Sequence, residues 1–462
     1  MLTTTAPGLN ANDPLDAWLR HLEQLHPRAI DLGLERVREV WLRLGSPRPA
    51  PICVLVGGTN GKGSTVAFLS AMLAAADYRV GTYTSPHLLR YNERVLLAGV
   101  EASDAQLVAA FAEIDAARGV ISLSYFEFGT LAAFLVLARA GLDVAVLEIG
   151  LGGRLDAVNL IDADAAILTS VDLDHQEYLG NDRERIGWDK AHIFRARQPA
   201  VIAALDPPDS VYTVARQLGA VVHTLPPLGT PGATNWTCPL PDGATLEMPL
   251  PRLRAPCQRR NAAAAIWAWQ LLGERLPFVA RAAAIGVAQA SVRGRLERLP
   301  RSIETLVDVA HNPEAARELA SWMQCNPRQR NVAVFAALAD KDLAGIVAPL
   351  AQSFCAWIVV DLAATTPRAA SPEQQAAALL GQLPAAATVT TRADMGSALA
   401  SADELAGSEG RVLVFGSFFT VAAALAAAPA EPGADRRQHD DTIADQDRTA
   451  VPRAPGQAAH GV

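Results

Sequence analysis

The sequence predicts an α/β protein made of two parallel-sheet domains in succession, and three observations carry that reading. The chain has 462 residues, of which 50% are hydrophobic and 19% charged, enough apolar length for more than one core at roughly 100–200 residues per domain. Short, nearly continuous apolar runs alternate with helical stretches, the pattern of a parallel sheet covered on both faces. The alternation occurs twice, with a break near residue 298. The first series, over residues 1–297, contains a strand that runs into a Gly-rich phosphate-loop sequence; the second, over 298–430, is a regular Rossmann-like succession.

In chain order, Asp13 before Pro14, with Leu15, Trp18, Leu19, Leu22 and Leu25 at helical spacing, predicts an amphipathic helix capped by Asp13. Leu34, Val37, Trp41 and Leu44 predict a second. Strands are expected at Ile52–Val56, Val144–Ile149 and Ala165–Val171, with helices over Val66–Ala76 and Leu131–Ala140. Residues Thr224–Pro251 are rich in Pro and Gly and predict an irregular or β excursion closing the first domain. The second domain should supply strands at Thr305–Val309, Val332–Leu338, Trp357–Leu362, Thr388–Thr391 and Val412–Phe415 between alanine-rich helices. From Glu431 to Val462 apolar periodicity is lost, which predicts a disordered tail.

Composition excludes several functions. With 40 Lys and Arg against 48 Asp and Glu, the net charge is −8, so the chain is neither a disordered polyelectrolyte nor a basic nucleic-acid binder. Its five cysteines lack CxxC spacing and argue for a reducing, cytoplasmic setting rather than disulfides or zinc. The N-terminus lacks a secretory signal. Val412–Ala430 is free of charge but carries Gly416, Ser417, Thr420 and Pro429, so it reads as strand, turn and helix rather than a membrane span.

The strongest chemical signal is VLVGGTNGKGST, Val54 to Thr65, a strand entering a Gly/Lys/Ser loop that opens a helix. Backbone N–H groups there face an anion, Lys62 adds a point charge, and Ser64 or Thr65 reaches a phosphate-bound Mg²⁺. Gly63 separates Lys62 from Ser64, so the string departs from the ordinary GxxxxGK[ST] loop. Glu148 ends an apolar strand before a Gly-rich turn, where a carboxylate must be either ion-paired, with Arg154 the candidate, or metal-bound. His175, in SVDLDH after the next strand, belongs to the same sheet edge if strand order permits; it is a hydrogen-bonded structural residue or a ligand. Lys190, in WDKAHIF, is a helix-surface lysine or one whose apolar surroundings ease loss of its proton for Schiff-base or carbamate chemistry. Asp308, His311 and Asn312 end a strand in the second domain, and Arg295 and Asn261 lie upstream. They would meet the first domain at a closing nucleotide cleft, or serve as a helix cap and a linker charge.

Taken together these strings resemble the folylpolyglutamate synthase/dihydrofolate synthase family, in its bifunctional bacterial form, a branch of the Mur ligase superfamily. The resemblance runs through IDLGLERV, GTNGKGS, YTSPHL, NERV, YFEFGTLAAF, EIGLGGRLDAVN, LDHQEYLG, DVAHNP and FGSFFTVA, in order over residues 13–425. It implies a central-type Mur ligase domain followed by the Rossmann-like domain. It also implies an ATP-dependent ligase that joins L-glutamate to dihydropteroate and to reduced folates through an acyl phosphate, with Mg²⁺. By the same resemblance Gly58, Thr59, Asn60, Gly61, Lys62, Gly63 and Ser64, with Asn261, Arg295, Asp308 and His311, serve ATP. Ser64, Ser85, Glu148, His175 and a carbamylated Lys190 serve the metal, and Lys62, Lys190 and His175 are the catalytic set. Arg28, Ala29, Ile30 and Asp31, Ser122, Leu123, Ser124 and Tyr125, and Arg154, Leu155 and Asp156 surround the pterin acceptor. Around Lys190 the chain departs from the family's Glu-Lys-Ala-Gly, reading Asp189-Lys190-Ala191-His192. Only about fifty residues precede the loop, which disfavours a nucleotide-sugar substrate. A polyglutamylating-only ligase and a P-loop phosphotransferase are the competing readings. No nucleic acid, no membrane and a monomer are expected.

Overall fold

The computed structural model describes residues 9–28, 30–384 and 387–428. The predicted tail, together with Ala29, lies outside the described residues.

The first sheet contains β1 (Ile52–Gly57), β2 (Val80–Tyr83), β3 (Val95–Leu97), β4 (Val100–Glu101), β5 (Val144–Glu148), β6 (Ala165–Leu168), β7 (Pro199–Ile202) and β8 (Val221–Thr224), ordered β4-β3-β2-β5-β1-β6-β7-β8. Only β3 and β4 run antiparallel to their neighbours. Every β1 residue is buried because both faces are covered: Cys53 and Leu55 face one core, and Ile52, Val54 and Val56 the other. The first face packs on α1 (Leu15–Leu25), α2 (Glu35–Arg43), α4 (Asp104–Arg118) and α5 (Tyr125–Arg139). The second packs on α3 (Lys62–Ala74), α9 (Gln258–Leu271) and α10 (Ala280–Gln289). Between them in sequence lie α6 (Gln176–Leu179), α7 (Arg183–Ala191) and α8 (Asp209–Leu218), then the hairpin β9 (Asn235–Pro239) and β10 (Thr245–Pro249), which realises the expected excursion.

The second sheet has β11 (Glu297–Arg298), β12 (Glu304–Asp308), β13 (Asn331–Phe335), β14 (Ala356–Val360), β15 (Thr388–Arg392) and β16 (Arg411–Phe415), ordered β11-β12-β16-β13-β14-β15 and parallel except for β11. Its helices are α11 (Pro313–Cys325), α12 (Leu343–Val347), α13 (Pro372–Leu380), α14 (Met395–Ala406) and α15 (Phe418–Ala427), and cores form on both faces. Among the described residues no helix is long and apolar enough to cross a membrane.

One local expectation is corrected. Asp13 does not cap α1: Pro14 holds the cap position, and the Asp13 carboxylate accepts from the Asn10 backbone N–H at 2.7 Å. Proline fixes the extended entry by itself, which leaves the carboxylate to close the preceding turn. β2–β4, β7 and β8 were not anticipated; β3, β4 and β8 are two to four residues long and partly exposed, so they carry no sustained periodicity.

Strand order decides the site. Because β5, β1 and β6 are adjacent and in register, with Val56 opposite both Glu148 and Ile167, the loops after all three leave one sheet edge together. That edge therefore brings the Gly58–Ser64 loop, Glu148 and the segment leading to His175 side by side, as ligand sites in open α/β sheets require.

Candidate active site

The phosphate loop is a backbone cradle. Gly61 caps α3 at φ 83°, and a Cβ there would sit 2.7 Å from Asn261 Oδ1; Gly58, at φ 146°, would drive one into Thr169 Oγ1. Only glycine fits either place. The loop is clasped by the segment after β6: Thr59 N–H donates to Ser170 O at 2.9 Å, Asn60 N–H to Ser170 Oγ at 3.0 Å, and Thr169 Oγ1 to Asn60 O at 2.6 Å. Lys62 Nζ folds back onto Gly58 O at 3.1 Å and Thr59 O at 3.0 Å.

Lys190 is the second lysine here, and the tertiary fold rather than its helix explains it. It is buried, and its Nζ donates to the same Gly58 carbonyl at 3.0 Å. Burial and the neighbouring Lys62 charge push it down to about 7. A lysine poised there supplies the uncharged amine that carbamate formation needs, and the surface-lysine reading is excluded. The helix presses on the Gly-rich turn, since a Cβ on Gly153 would meet the Lys190 backbone at 2.8 Å.

Glu148 is buried and accepts from the Ser85 backbone N–H at 3.2 Å. Burial raises its pKa, opposed by Lys62, the Ser85 N–H, Arg295 and Arg94. It does not pair with Arg154, which instead lies 3.8 Å from Asp189 and over the Trp188 ring. Among the described residues no three His, Cys, Asp or Glu side chains gather into a self-sufficient metal site. The donor set nevertheless fits Mg²⁺: an underpartnered buried carboxylate, the hydroxyls of Ser64 and Ser85 and the His175 ring, with remaining positions left to phosphate oxygens and water.

The second sheet supplies the other wall. Asp308 accepts from Leu296 N–H and Ala310 N–H at 2.9 Å each. It is not a helix cap, because Asn312 caps α11 through Ala315 N–H. Burial raises its pKa against the Arg295 charge. His175, pushed down to about 4 by burial, is an uncharged ring.

A polar seam joins the two sheets; Asn60, His311 and Asn312 were singled out in the sequence, but Asp174, Glu314 and Lys341 were not. The Asn60 and Asn312 amides exchange hydrogen bonds at 3.0 Å, and Asn60 also donates to Glu314 at 2.5 Å. Asp174 accepts from Lys341 at 2.7 Å and Asn312 at 3.1 Å, with His311 3.5 Å away. Burial opposes ionisation of Asp174, yet His311, His175 and Lys341 hold its pKa far below the usual carboxylate range. The DLDH string contains Asp174, but only the approach of α11 and the loop after β13 shows what it faces.

The large cleft between the sheets has a volume of ≈ 1240 Å³ and is lined by Lys62, Ser85, Glu148, His175, Lys190, Arg295 and His311 among others. It exceeds a single small-molecule site. A second cavity of ≈ 300 Å³ collects Asn60, Gly61, Ser64, Asn261, Arg295 and Asp308. Thus all the residues expected at ATP and metal line one of two cavities that share the phosphate loop.

The expected acceptor residues behave differently, and none of those described lines either cavity. Arg28 is exposed and lies 3.4 Å from Asp31, which Arg36 binds at 2.7 Å and His26 at 3.1 Å. The other His26 nitrogen meets Ser122 Oγ at 2.7 Å, so two distant segments are tied together beside Ile30. Leu123 is core. Ser124 caps α5 in a reciprocal box with Glu127, and Tyr125 opens that helix. Leu155 is half-buried. Asp156 is buried, accepts from Leu151 N–H and Val158 N–H, and burial pushes it up to about 7.

Residues 56–225 match the Mur ligase middle domain, and 294–418 the Mur ligase glutamate ligase domain. The dihydrofolate synthase/folylpolyglutamate synthase of Escherichia coli K12 is 44% identical over 415 residues, covering 89% of this chain and 95% of that protein. A solved structure of E. coli FolC in complex with DHPP and ADP is similar with a TM-score of 0.83 at 42% identity, over 90% of this chain and 97% of that one. A bifunctional folylpolyglutamate synthase/dihydrofolate synthase solved with Mn, AMPPNP and L-glutamate bound has a TM-score of 0.81 at 42% identity, over 91% and 99%.

Proposed function

This chain belongs to the dihydrofolate synthase/folylpolyglutamate synthase family of the Mur ligases, and from that membership we propose how its residues divide the work. The protein is an ATP-dependent, ADP-forming ligase that joins glutamate to folates. The observation that supports the residue roles best is the convergence of Lys62, Glu148 and Lys190 on one phosphate loop beneath a cleft walled by the second sheet.

A carboxylate is a poor electrophile, so its oxygen first attacks the γ-phosphorus of ATP, expelling ADP. The glutamate amine, once deprotonated, attacks the resulting acyl phosphate, and inorganic phosphate leaves as the amide forms. Every partner is anionic, and the chain answers with charge and fixed dipoles. The loop N–H groups and Lys62 hold the phosphates; Arg295 reaches both cavities and neutralises charge between them. Asn261 and Asp308 line the smaller cavity and serve the remainder of the nucleotide. Glu148, Ser64, Ser85 and His175, with Lys190 as its carbamate, would hold Mg²⁺, which draws phosphate negative charge away from the attacking oxygen. Two sheets closing on one cleft exclude water that would hydrolyse the acyl phosphate.

The acceptor is assigned to the Arg28–Asp31, Ser122–Tyr125 and Arg154–Asp156 segments, with dihydropteroate and tetrahydrofolate both used. The His26 bridge between the first two segments supports a jointly built acceptor wall. One chain supplies both cavities, which supports action as a monomer, and its five free thiols suit a cytoplasmic setting. The test is phosphate release from MgATP with L-glutamate and either pterin, omitting each component in turn. Release requiring glutamate with both dihydropteroate and tetrahydrofolate is expected. Release with tetrahydrofolate alone would reduce the enzyme to polyglutamylation, and release without glutamate would return the phosphotransferase reading.

A further inference from the structure

Two arginines among the described residues are buried to more than nine-tenths, and they are treated differently. Arg411 pairs with Glu304 at 3.2 Å. Arg94, 8% exposed, has no carboxylate within 4 Å among the described residues. Its side chain donates from Nε to His87 Nδ1 at 2.9 Å, a nitrogen that carries no proton in this contact and brings no negative charge. Glu93, its chain neighbour, is taken up by the backbone N–H groups of Leu88, Leu89 and Arg90. The guanidinium also lies by the buried Tyr83 hydroxyl, whose ionised form it favours, and rests against aromatic rings, 5.2 Å from the Tyr91 centroid and 5.6 Å from that of Tyr125. A guanidinium stays charged, and the buried Glu148 carboxylate whose ionisation it favours lies beyond 4 Å, so Arg94 has no directly paired anion, a costly state that an anion in the cleft would relieve.

Its surroundings indicate which anion. Arg94 precedes β3, and its carbonyl accepts from Thr84 N–H at 2.9 Å, which sets it beside Ser85 and, through the Ser85 N–H, beside Glu148. On its other side is Tyr125. Arg94 lines the large cleft, as do Ser85 and Glu148, while the loop-bound phosphates are served by Lys62. An anion at Arg94 therefore lies between the phosphoryl end of the cleft and the acceptor wall, where the reacting carboxylate of the acceptor must be.

We propose that Arg94 binds the acceptor's reacting carboxylate and retains its hold when that group becomes the acyl phosphate. The inference rests on the pterin-acceptor reading above. Planar, forked N–H donors match both a carboxylate and a phosphate.

The test compares binding of dihydropteroate with that of its carboxamide, in which the reacting carboxylate is neutral, to the full-length protein and to Arg94→Gln, Arg94→Lys and an unrelated surface control. Charge-assisted hydrogen bonds predict that the wild-type protein prefers the carboxylate by about ten- to a hundredfold, and that Arg94→Gln lowers this preference to less than about threefold. A residue that only supports the fold would weaken both ligands equally, so a preference preserved in Arg94→Gln overturns the proposal. If Arg94→Gln does not fold, Arg94→Lys decides: a preference reduced by loss of the fork supports the role, and an unchanged one overturns it. A wild-type protein that turns over dihydropteroate yet binds its carboxamide equally well refutes the inference alone. One that neither binds nor turns over either pterin removes the functional reading beneath it.

Discussion

Lys190 shows what burial does to a single side chain. With its native pKa near 7 against an ordinary 10.5, it sheds its proton in the folded protein while the unfolded chain still holds one. Stability from this group therefore rises with pH between about 7 and 10.5, and below pH 7 the folded state bears the full cost of a buried charge. Lys190→Met is expected to unfold at higher temperature than the wild type at pH 6, with the gap closing toward pH 10, and to lose activity; melting curves across pH check the first statement. Glu148 presents the complementary case, an underpartnered buried carboxylate. Glu148→Gln keeps the shape but loses the charge, so phosphate release should fall about a hundredfold or more and require higher Mg²⁺. An unchanged Mg²⁺ titration would remove Glu148 from the metal set. The sequence singled out both residues, yet it left their partners open, because an ion pair and a ligand look alike until neighbouring strands are known.

Among the elements, α3 matters most, since its first turn is the phosphate cradle and its far side must be held still. α10 packs against it so closely that a Cβ on Gly286 would collide with the Met72 backbone. Gly286→Ala must push the two helices apart, and it is expected to cost about 1–3 kcal/mol, as overpacking does, and to weaken ATP binding; urea unfolding and nucleotide titration measure the two effects. The helix α10 was not anticipated from the sequence, and which of its small residues meets another backbone is a property of the crossing. Elements with long apolar runs were readable for the same reason that β1 is buried on both faces. The short edge strands β3, β4 and β8 were not, since a half-exposed strand of two to four residues is held by its neighbour's hydrogen bonds rather than by its own pattern.

At the scale of the whole molecule the seam between the sheets governs how the phosphate loop meets the second domain. Glu314, whose pKa burial raises, accepts from Asn60 at 2.5 Å and from Ser170 Oγ at 3.1 Å, so the loop and its clasp both report to α11. Glu314→Ala is expected to raise the KM for ATP about tenfold, whereas Glu314→Gln, which retains an acceptor, stays within about threefold; steady-state kinetics at saturating glutamate and acceptor distinguish them. Equal effects of both variants would show that the carboxylate's charge, and not the hydrogen bond, holds the seam. By itself the sequence determined the α/β class and the strand–loop–helix cradle and singled out Lys62, Glu148 and Asp308 as candidates, because periodicity, glycine placement and strand-end carboxylates are local in the chain, whereas His175 and Lys190 gained their expected roles from the family resemblance. Only the tertiary structure decided that Lys190 shares a carbonyl with Lys62, that Asn60 is bound across the seam by Asn312 and Glu314, and that Arg94 is buried with no carboxylate in direct contact. Those facts depend on strand order and on the meeting of two sheets, and charge burial is set by neighbours that lie far away along the chain.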